Sequence, residues 1–324
     1  MIGYHSYFKY VEPHTPAWLH RWGELLWRHF HKHHYVEFLL PASLRSRVRE
    51  ASERRRTGLF LWRVKPLPTR LLGRRWPRSG NRVSMDITYS CNLRCYNCSR
   101  SCEQAPSNER MSLEQVQHFL EESRASGVRW RRISVAGGEP TNHPQVVEIM
   151  NLILDYRARY FPAARVLLNT NGYGERVNKV LSLLPPGVQV KNTAKTTRVQ
   201  PRFQTFNVAP VDVDGYEGTD FSNGCYVTWL CGLGVTPSGY YPCVVAGGID
   251  RIFGLGLGRK ILPRPDDPMI EELRTFCALC GFFKPWTGEP LNGAVVSSTW
   301  AQAYARWRQN PPKLSRLAEP TALV

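Results

Sequence analysis

Cys91-Asn92-Leu93-Arg94-Cys95-Tyr96-Asn97-Cys98 follows residues 83–89, which read as a strand, and this junction decides how the chain is read. A strand feeding a loop with C-x3-C-x2-C spacing offers three soft thiolates to one metal site. A 4Fe–4S cubane ordinarily takes four cysteines, so three leave one iron open to an exogenous ligand. Zinc is the competing reading: it wants a fourth close ligand, and Cys102 stands where it could serve.

Outward from this loop, strand and helix patterns alternate. Ser112 with Gln115 three residues later predicts a capped helix over 112–126, with Leu113, Val116, Phe119 and Leu120 on its apolar face and Gly127 as its stop. Residues 133–136 read as a short buried strand. Val146, Ile149, Met150, Ile153 and Leu154 then mark a helix. A strand over 166–169, a helix over 176–184 stopped by Pro185-Pro186 and a strand over 188–191 complete the series. Such alternation implies an α/β fold with parallel pairing, its site at the C-terminal strand ends.

Two strand ends carry further signals. Gly137-Gly138-Glu139-Pro140 follows the second strand. Glycines permit close backbone approach, and carbonyls with a carboxylate suit an ammonium group. Asn169-Thr170-Asn171-Gly172 ends the third strand, where a left-handed turn at Asn171-Gly172 is a rival explanation.

Together these stretches resemble the radical S-adenosylmethionine (SAM) superfamily. The resemblance implies a partial (β/α) barrel, since only about 130 residues separate Cys98 from Cys225, short of a full eight-fold barrel. It implies a 4Fe–4S cluster on Cys91, Cys95 and Cys98, with SAM on the open iron. Gly137, Gly138, Glu139 and Pro140 are expected at its methionine end, and Asn169, Thr170 and Asn171 along its pocket. In the family the residue before the third cysteine is often aromatic and packs near adenine. Here it is Asn97, with Tyr96 one place earlier as the candidate. An external electron donor such as flavodoxin or ferredoxin is implied as a partner.

Beyond residue 200, Gly, Pro and Cys become dense, and long helices are not expected before a terminal one over 299–309 capped by Ser298. Cys231 and Cys243 end a segment with a Pro237-Ser238-Gly239 turn, and Cys277 and Cys280 form a C-x2-C pair. This arrangement resembles the SPASM or twitch extension, which implies an auxiliary 4Fe–4S cluster. Five cysteines are available for four places, with Cys225 and Cys231 competing for one; a zinc ribbon remains the alternative. Residues 224–281 are expected to be organised by metal more than by an apolar core. The domain reading is a basic helical extension over 1–82, a barrel over 83–210 and a twitch/SPASM-like cluster domain with a C-terminal helix over 211–324.

The 324 residues carry a formal net charge of +17, and residues 1–82 hold +12 of it, from seventeen Lys and Arg against five Glu. A helix start at Thr15-Pro16 leads into Trp18, Trp22, Leu25, Leu26 and Phe30 at helical spacing. Arg45, Arg47, Arg49 and Arg54-Arg55-Arg56 form a second stretch, and Pro66, Pro68, Gly73, Pro77 and Gly80 read as a linker. The preferred reading is packed helices with solvated arginines. Docking to an anionic membrane surface or acidic partner comes second, and nucleic acid is not favoured. His29, His31, His33 and His34 are expected on a helix surface. No apolar run reaches ~18 residues and no apolar signal core opens the chain, so a cytoplasmic setting is expected. Nine cysteines, an odd number, argue against a disulfide framework.

The expected function is reductive cleavage of SAM to a 5′-deoxyadenosyl radical, which takes hydrogen from a small sugar- or cyclitol-like natural product, as an oxidation. A maturase that crosslinks a ribosomal peptide is the alternative. Peptide-modifying relatives commonly carry an N-terminal winged helix, whose strand-rich pattern residues 1–82 lack. A non-enzymatic zinc or Fe–S nucleic-acid-binding protein ranks third, because it would not need Gly137-Gly138-Glu139-Pro140 beside a three-cysteine loop.

Overall fold

The computed structural model describes residues 42–200, 202–204, 206–285 and 291–318. The helix expected after Thr15-Pro16 and the cluster His29, His31, His33 and His34 lie outside the described residues. The chain divides after Gly58 into two compact units, and the sheet and all nine cysteines belong to the second, Leu59–Val324.

Helix α1, Ala42–Arg63, spans the arginine-rich stretch, and α2, Pro66–Leu72, takes the first part of the expected linker, while residues 73–81 carry no helix or strand. Pro66 and Pro68 sit in the first turn of α2, where no intrahelical N–H is needed, so proline permits the helix.

Strand β1, Arg82–Asp86, leads through α3, Leu113–Ala125, to β2, Arg132–Ala136; then α4, Val146–Tyr160, and β3, Arg165–Thr170, follow. Helix α5, Glu175–Leu181, and β4, Gln189–Asn192, close this half. Ser112 and Gln115 form the reciprocal cap expected at the start of α3. The sheet continues with β6, Leu233–Thr236, and β7, Gly239–Tyr241, in the order β4-β3-β2-β1-β6-β7. All neighbours are parallel except the β6–β7 hairpin, whose turn is Pro237-Ser238. The fold is α/β with a parallel-dominated sheet, in keeping with a partial β/α barrel. Strand β1 is flanked on both edges and buried on both faces, as a central parallel strand should be.

The region expected as a separate cluster domain is built onto this sheet, because β6 pairs with β1 from Val83↔Leu233 to Met85↔Val235. Its interior is also far more apolar than expected. Phe206, Val244, Ile249, Phe276 and Trp300 pack in one buried cluster, and Trp300 meets Phe206 and Phe253 at 4.9 Å between ring centroids. Helices occur here as well: α6, Tyr226–Cys231; α7, Val244–Phe253; and α8, Ile270–Ala278. Gly247-Gly248 concealed α7, since paired glycines ordinarily mark turns. Both sit at close approaches: a Cβ on Gly247 would lie 2.5 Å from Thr236, and one on Gly248 3.2 Å from the Ser99 carbonyl. The two-residue strands β5, Arg202–Phe203, and β8, Leu291–Asn292, pair antiparallel. The last helix, α9, is Ser298–Gln309, so the cap moves to Ser297. Ser297 makes no side-chain cap; Asp212 supplies one instead, accepting from the Thr299 N–H at 2.9 Å and its hydroxyl at 2.6 Å. No helix among the described residues is long and apolar enough to cross a membrane.

Candidate active site

The loop after β1 carries Cys91, Cys95 and Cys98, all half-buried. It is held from three sides. The Thr88 and Ser90 carbonyls accept from the N–H groups of Gly138 and Glu139 at 2.8 and 2.9 Å. A Cβ on Gly137 would lie 2.3 Å from the Thr88 carbonyl oxygen, and one on Gly138 2.4 Å from that of Ser90. The glycine pair therefore admits the cysteine loop's own backbone. On the second side, the Arg94 N–H donates to the Arg198 carbonyl at 2.8 Å and the Tyr96 N–H to that of Gln200 at 3.2 Å. On the third, Asn97 is fully buried, donates to the Gly293 carbonyl at 3.0 Å and accepts from the Val295 N–H at 2.9 Å. The place often aromatic in the family is thus a structural amide, while Tyr96 is 38% exposed.

Glu139 joins the strand ends. Its carboxylate is fully buried and accepts four hydrogen bonds. Oε1 takes the Thr141 N–H at 3.2 Å, the Thr141 hydroxyl at 2.8 Å and the Thr170 hydroxyl at 2.9 Å; Oε2 takes the Asn171 N–H at 2.8 Å. Each carboxylate oxygen offers about two acceptor directions, and Oε2 uses one of them, so it retains capacity for one further donor. Asn171 in turn donates to Asn92 Oδ1 at 2.8 Å, and Asn92 to the Tyr173 carbonyl at 2.7 Å. Glu139, Thr170, Asn171 and the residue beside Cys91 thereby form one connected group. Asn169 is half-buried and donates to the Val135 carbonyl at 3.2 Å; Pro140 starts a short 3-10 turn.

Burial and neighbouring groups shift all three thiols. Burial pushes Cys91 up to about 12, and negative charge on Cys98, Glu139 and Cys95 adds to it. Burial likewise pushes Cys95 up to about 11, with Cys98 contributing. Cys98 moves down to about 6, chiefly because the Cys102 thiol donates to it, with help from the backbone N–H groups of Cys102 and Arg100.

Three further residues brace this loop and carry no motif in the sequence. Asp86, fully buried at the end of β1, takes Arg100 in a bidentate ion pair at 3.0 and 3.2 Å. Burial works against the Arg100 charge, but Asp86 outweighs it and raises the guanidinium above its ordinary range. Arg251, from the last turn of α7, lies 4.5 Å above the Tyr89 ring. It donates to the carbonyls of Ala105 at 2.9 Å, Arg100 at 2.8 Å and Ser101 at 3.3 Å.

The later cysteines form a second group. Cys225 precedes α6, Cys243 precedes α7, Cys277 lies in the last turn of α8, and Cys280 follows it. These four line one small cavity with Val245, Ala246, Ile249, Leu273, Phe276 and Phe282. Cys231, at the far end of α6, does not line it. Burial in this apolar wall raises all four thiols. Lys284 adds a nearby cation that opposes the rise at Cys280.

The donors fit iron–sulfur clusters. Every cysteine is unpaired, and the sets of three and four match an open-iron and a closed cubane. Among the described residues, no three His, Cys, Asp or Glu side chains converge on a single metal ion. A cubane has no such requirement, since each thiolate binds a different iron.

Residues 85–189 match the family model described as the Radical SAM superfamily. That domain implies a 4Fe–4S cluster and SAM. Over 90 residues the chain is 31% identical to a probable GTP 3′,8-cyclase of Methanocaldococcus jannaschii, covering 28% of each protein. Over 82 residues it is 26% identical to a probable GTP 3′,8-cyclase of Thermococcus kodakarensis, covering 25% of this chain and 26% of that protein. The match thus spans about a quarter of the length of these curated relatives. Among solved structures, BtrN in complex with AdoMet and 2-DOIA aligns at 13% identity and TM-score 0.32, covering 60% of this chain and 81% of that one. Streptococcus suis SuiB bound to precursor peptide SuiA aligns at 10% identity and TM-score 0.31, covering 78% of both.

Proposed function

We propose that this chain is a radical SAM oxidoreductase acting on a small sugar- or cyclitol-like alcohol. On this reading Cys91, Cys95 and Cys98 hold a 4Fe–4S cluster open to SAM, and Cys225, Cys243, Cys277 and Cys280 hold an auxiliary one. The observation that carries the reading is the sorting of seven cysteines into two sets, three on the β1 loop and four around one apolar cavity. Bound there, the first cluster and SAM supply a 5′-deoxyadenosyl radical able to take a hydrogen atom from substrate, and the second cluster an acceptor for the electron that remains.

The protein's own part is positioning. The spare acceptor capacity at Glu139 Oε2 is assigned to the SAM ammonium. The carboxylate's other bonds keep the β2 and β3 ends in register around the cofactor pocket. Arg251 and the Asp86–Arg100 pair fix the loop on the far side of Cys98. A reducing compartment suits nine unpaired cysteines.

The test is anaerobic reconstitution, addition of SAM and dithionite, and mass spectrometry against a panel of cyclitols and amino sugars. The expected result is 5′-deoxyadenosine with a product lacking two hydrogens. Turnover of a peptide in place of every alcohol would overturn the substrate assignment, and absence of SAM cleavage would overturn the reaction class.

A further inference from the structure

Residues 54–85 contain ten Lys and Arg and no Asp or Glu. Within this acid-free stretch, the end of α1 and the whole of α2 present an apolar face to solvent. Phe60 and Val64 point inward, where they pack with Leu273, Cys277 and Phe283. The opposite side of the same turn leaves Leu59 at 56% and Trp62 at 57% exposure. In α2, Pro68 and Thr69 are buried, while Leu67 is 67% and Leu71 73% exposed, and Leu72 at its end 60%. Exposed Arg70 lies between Leu67 and Leu71 on the same helical face, and half-exposed Arg74 follows.

Five large apolar side chains within fourteen residues exceed the scattered exposure normal for a soluble surface. The inner face is anchored in the body, so the outer side chains are held outward. Their chemistry, leucine with one tryptophan among cations, is that of an element lying in a bilayer interface. Base stacking by nucleic acid would call for a row of aromatic rings, and only Trp62 is exposed here. We propose that Leu59, Trp62, Leu67, Leu71 and Leu72, with Arg70 and Arg74, form a peripheral docking surface for an anionic phospholipid bilayer. This departs from the sequence expectation of solvated arginines, because the sequence could not show that these apolar residues face out.

The test is co-sedimentation of the full chain with phosphatidylcholine vesicles, with and without phosphatidylglycerol, at low and high salt. Leu67→Ser/Leu71→Ser and Arg70→Gln/Arg74→Gln variants run alongside, their fold checked by thermal unfolding. Wild type is expected to sediment with anionic vesicles at low salt and to be released by salt. The leucine variant should partition roughly tenfold or more weakly, and the arginine variant should lose its preference for anionic lipid. Failure of wild type to bind overturns the proposal, as does a folded leucine variant that binds like wild type. A surface that binds an oligonucleotide and no vesicle, or that closes a dimer broken by the leucine variant, also overturns it.

Discussion

Replacing Glu139 by glutamine tests whether this carboxylate is a joint of the fold as well as a cofactor contact. The side chain keeps its size but exchanges one acceptor oxygen for an NH2 group. If the remaining oxygen stays with Thr141 and Thr170, the new NH2 faces the Asn171 N–H, which now sits 2.8 Å from Oε2. Two donors then confront each other in a fully buried place. An unsatisfied buried N–H costs about 1–3 kcal/mol, and the three bonds left on Oε1 lose their charge assistance. The expected loss is about 2–4 kcal/mol, or a fall in Tm of about 4–8 °C for a unit of this size. The assay is thermal unfolding of metal-free Glu139→Gln, Thr170→Val and the double variant, without SAM. The two changes should be coupled by at least about 0.5 kcal/mol, since they share one hydrogen bond. A Tm equal to wild type, or strict additivity, would refute the joint and leave Glu139 a ligand only.

Other outcomes follow from the same geometry. Cys225→Ser should lower the iron content by about four atoms per chain while Cys231→Ser leaves it unchanged; the reverse order would reassign the cavity. Gly248→Val should destabilise the chain by about 1–3 kcal/mol in denaturant titration, because its Cβ would press on the Ser99 carbonyl at 3.2 Å. His143 is buried and neutral; its Nδ1 accepts from the Gln145 N–H, which leaves Nε2 to donate to the Met111 carbonyl, and burial lowers its pKa below 6.5. Its contribution is therefore fully present above about pH 6.5 and lost as pH falls through its lower folded value. Tm measured against pH should decline on the acid side, less steeply for His143→Gln.

The first half of the fold was legible because local signals agreed. The Ser112–Gln115 cap, the apolar periods at Val116–Phe119–Leu120 and Val146–Ile149–Met150–Ile153, and the short strands between them all surfaced where expected. The second half hid behind its composition. Glycine at 247 and 248 makes helical sense only once the Thr236 side chain and the Ser99 carbonyl that press on α7 are known, and the strand of Leu233 reads as part of a hairpin until its pairing with β1 is seen. The competition between Cys225 and Cys231 could not be decided by spacing either. Both lie close in sequence to Cys243, and only the turn of α6 separates the one lining the cavity from the one that does not. Asp86, Asn92, Arg100 and Arg251 escaped because a bracing side chain needs no motif, only a partner far along the chain.

The most direct test of the central claim, that the cysteines are divided between two clusters, is an iron count. Anaerobically reconstituted wild type should hold about eight irons per chain, and a Cys91→Ala, Cys95→Ala, Cys98→Ala variant about four. A triple variant that keeps all its iron, or a wild type that takes up zinc and no iron, would contradict the account.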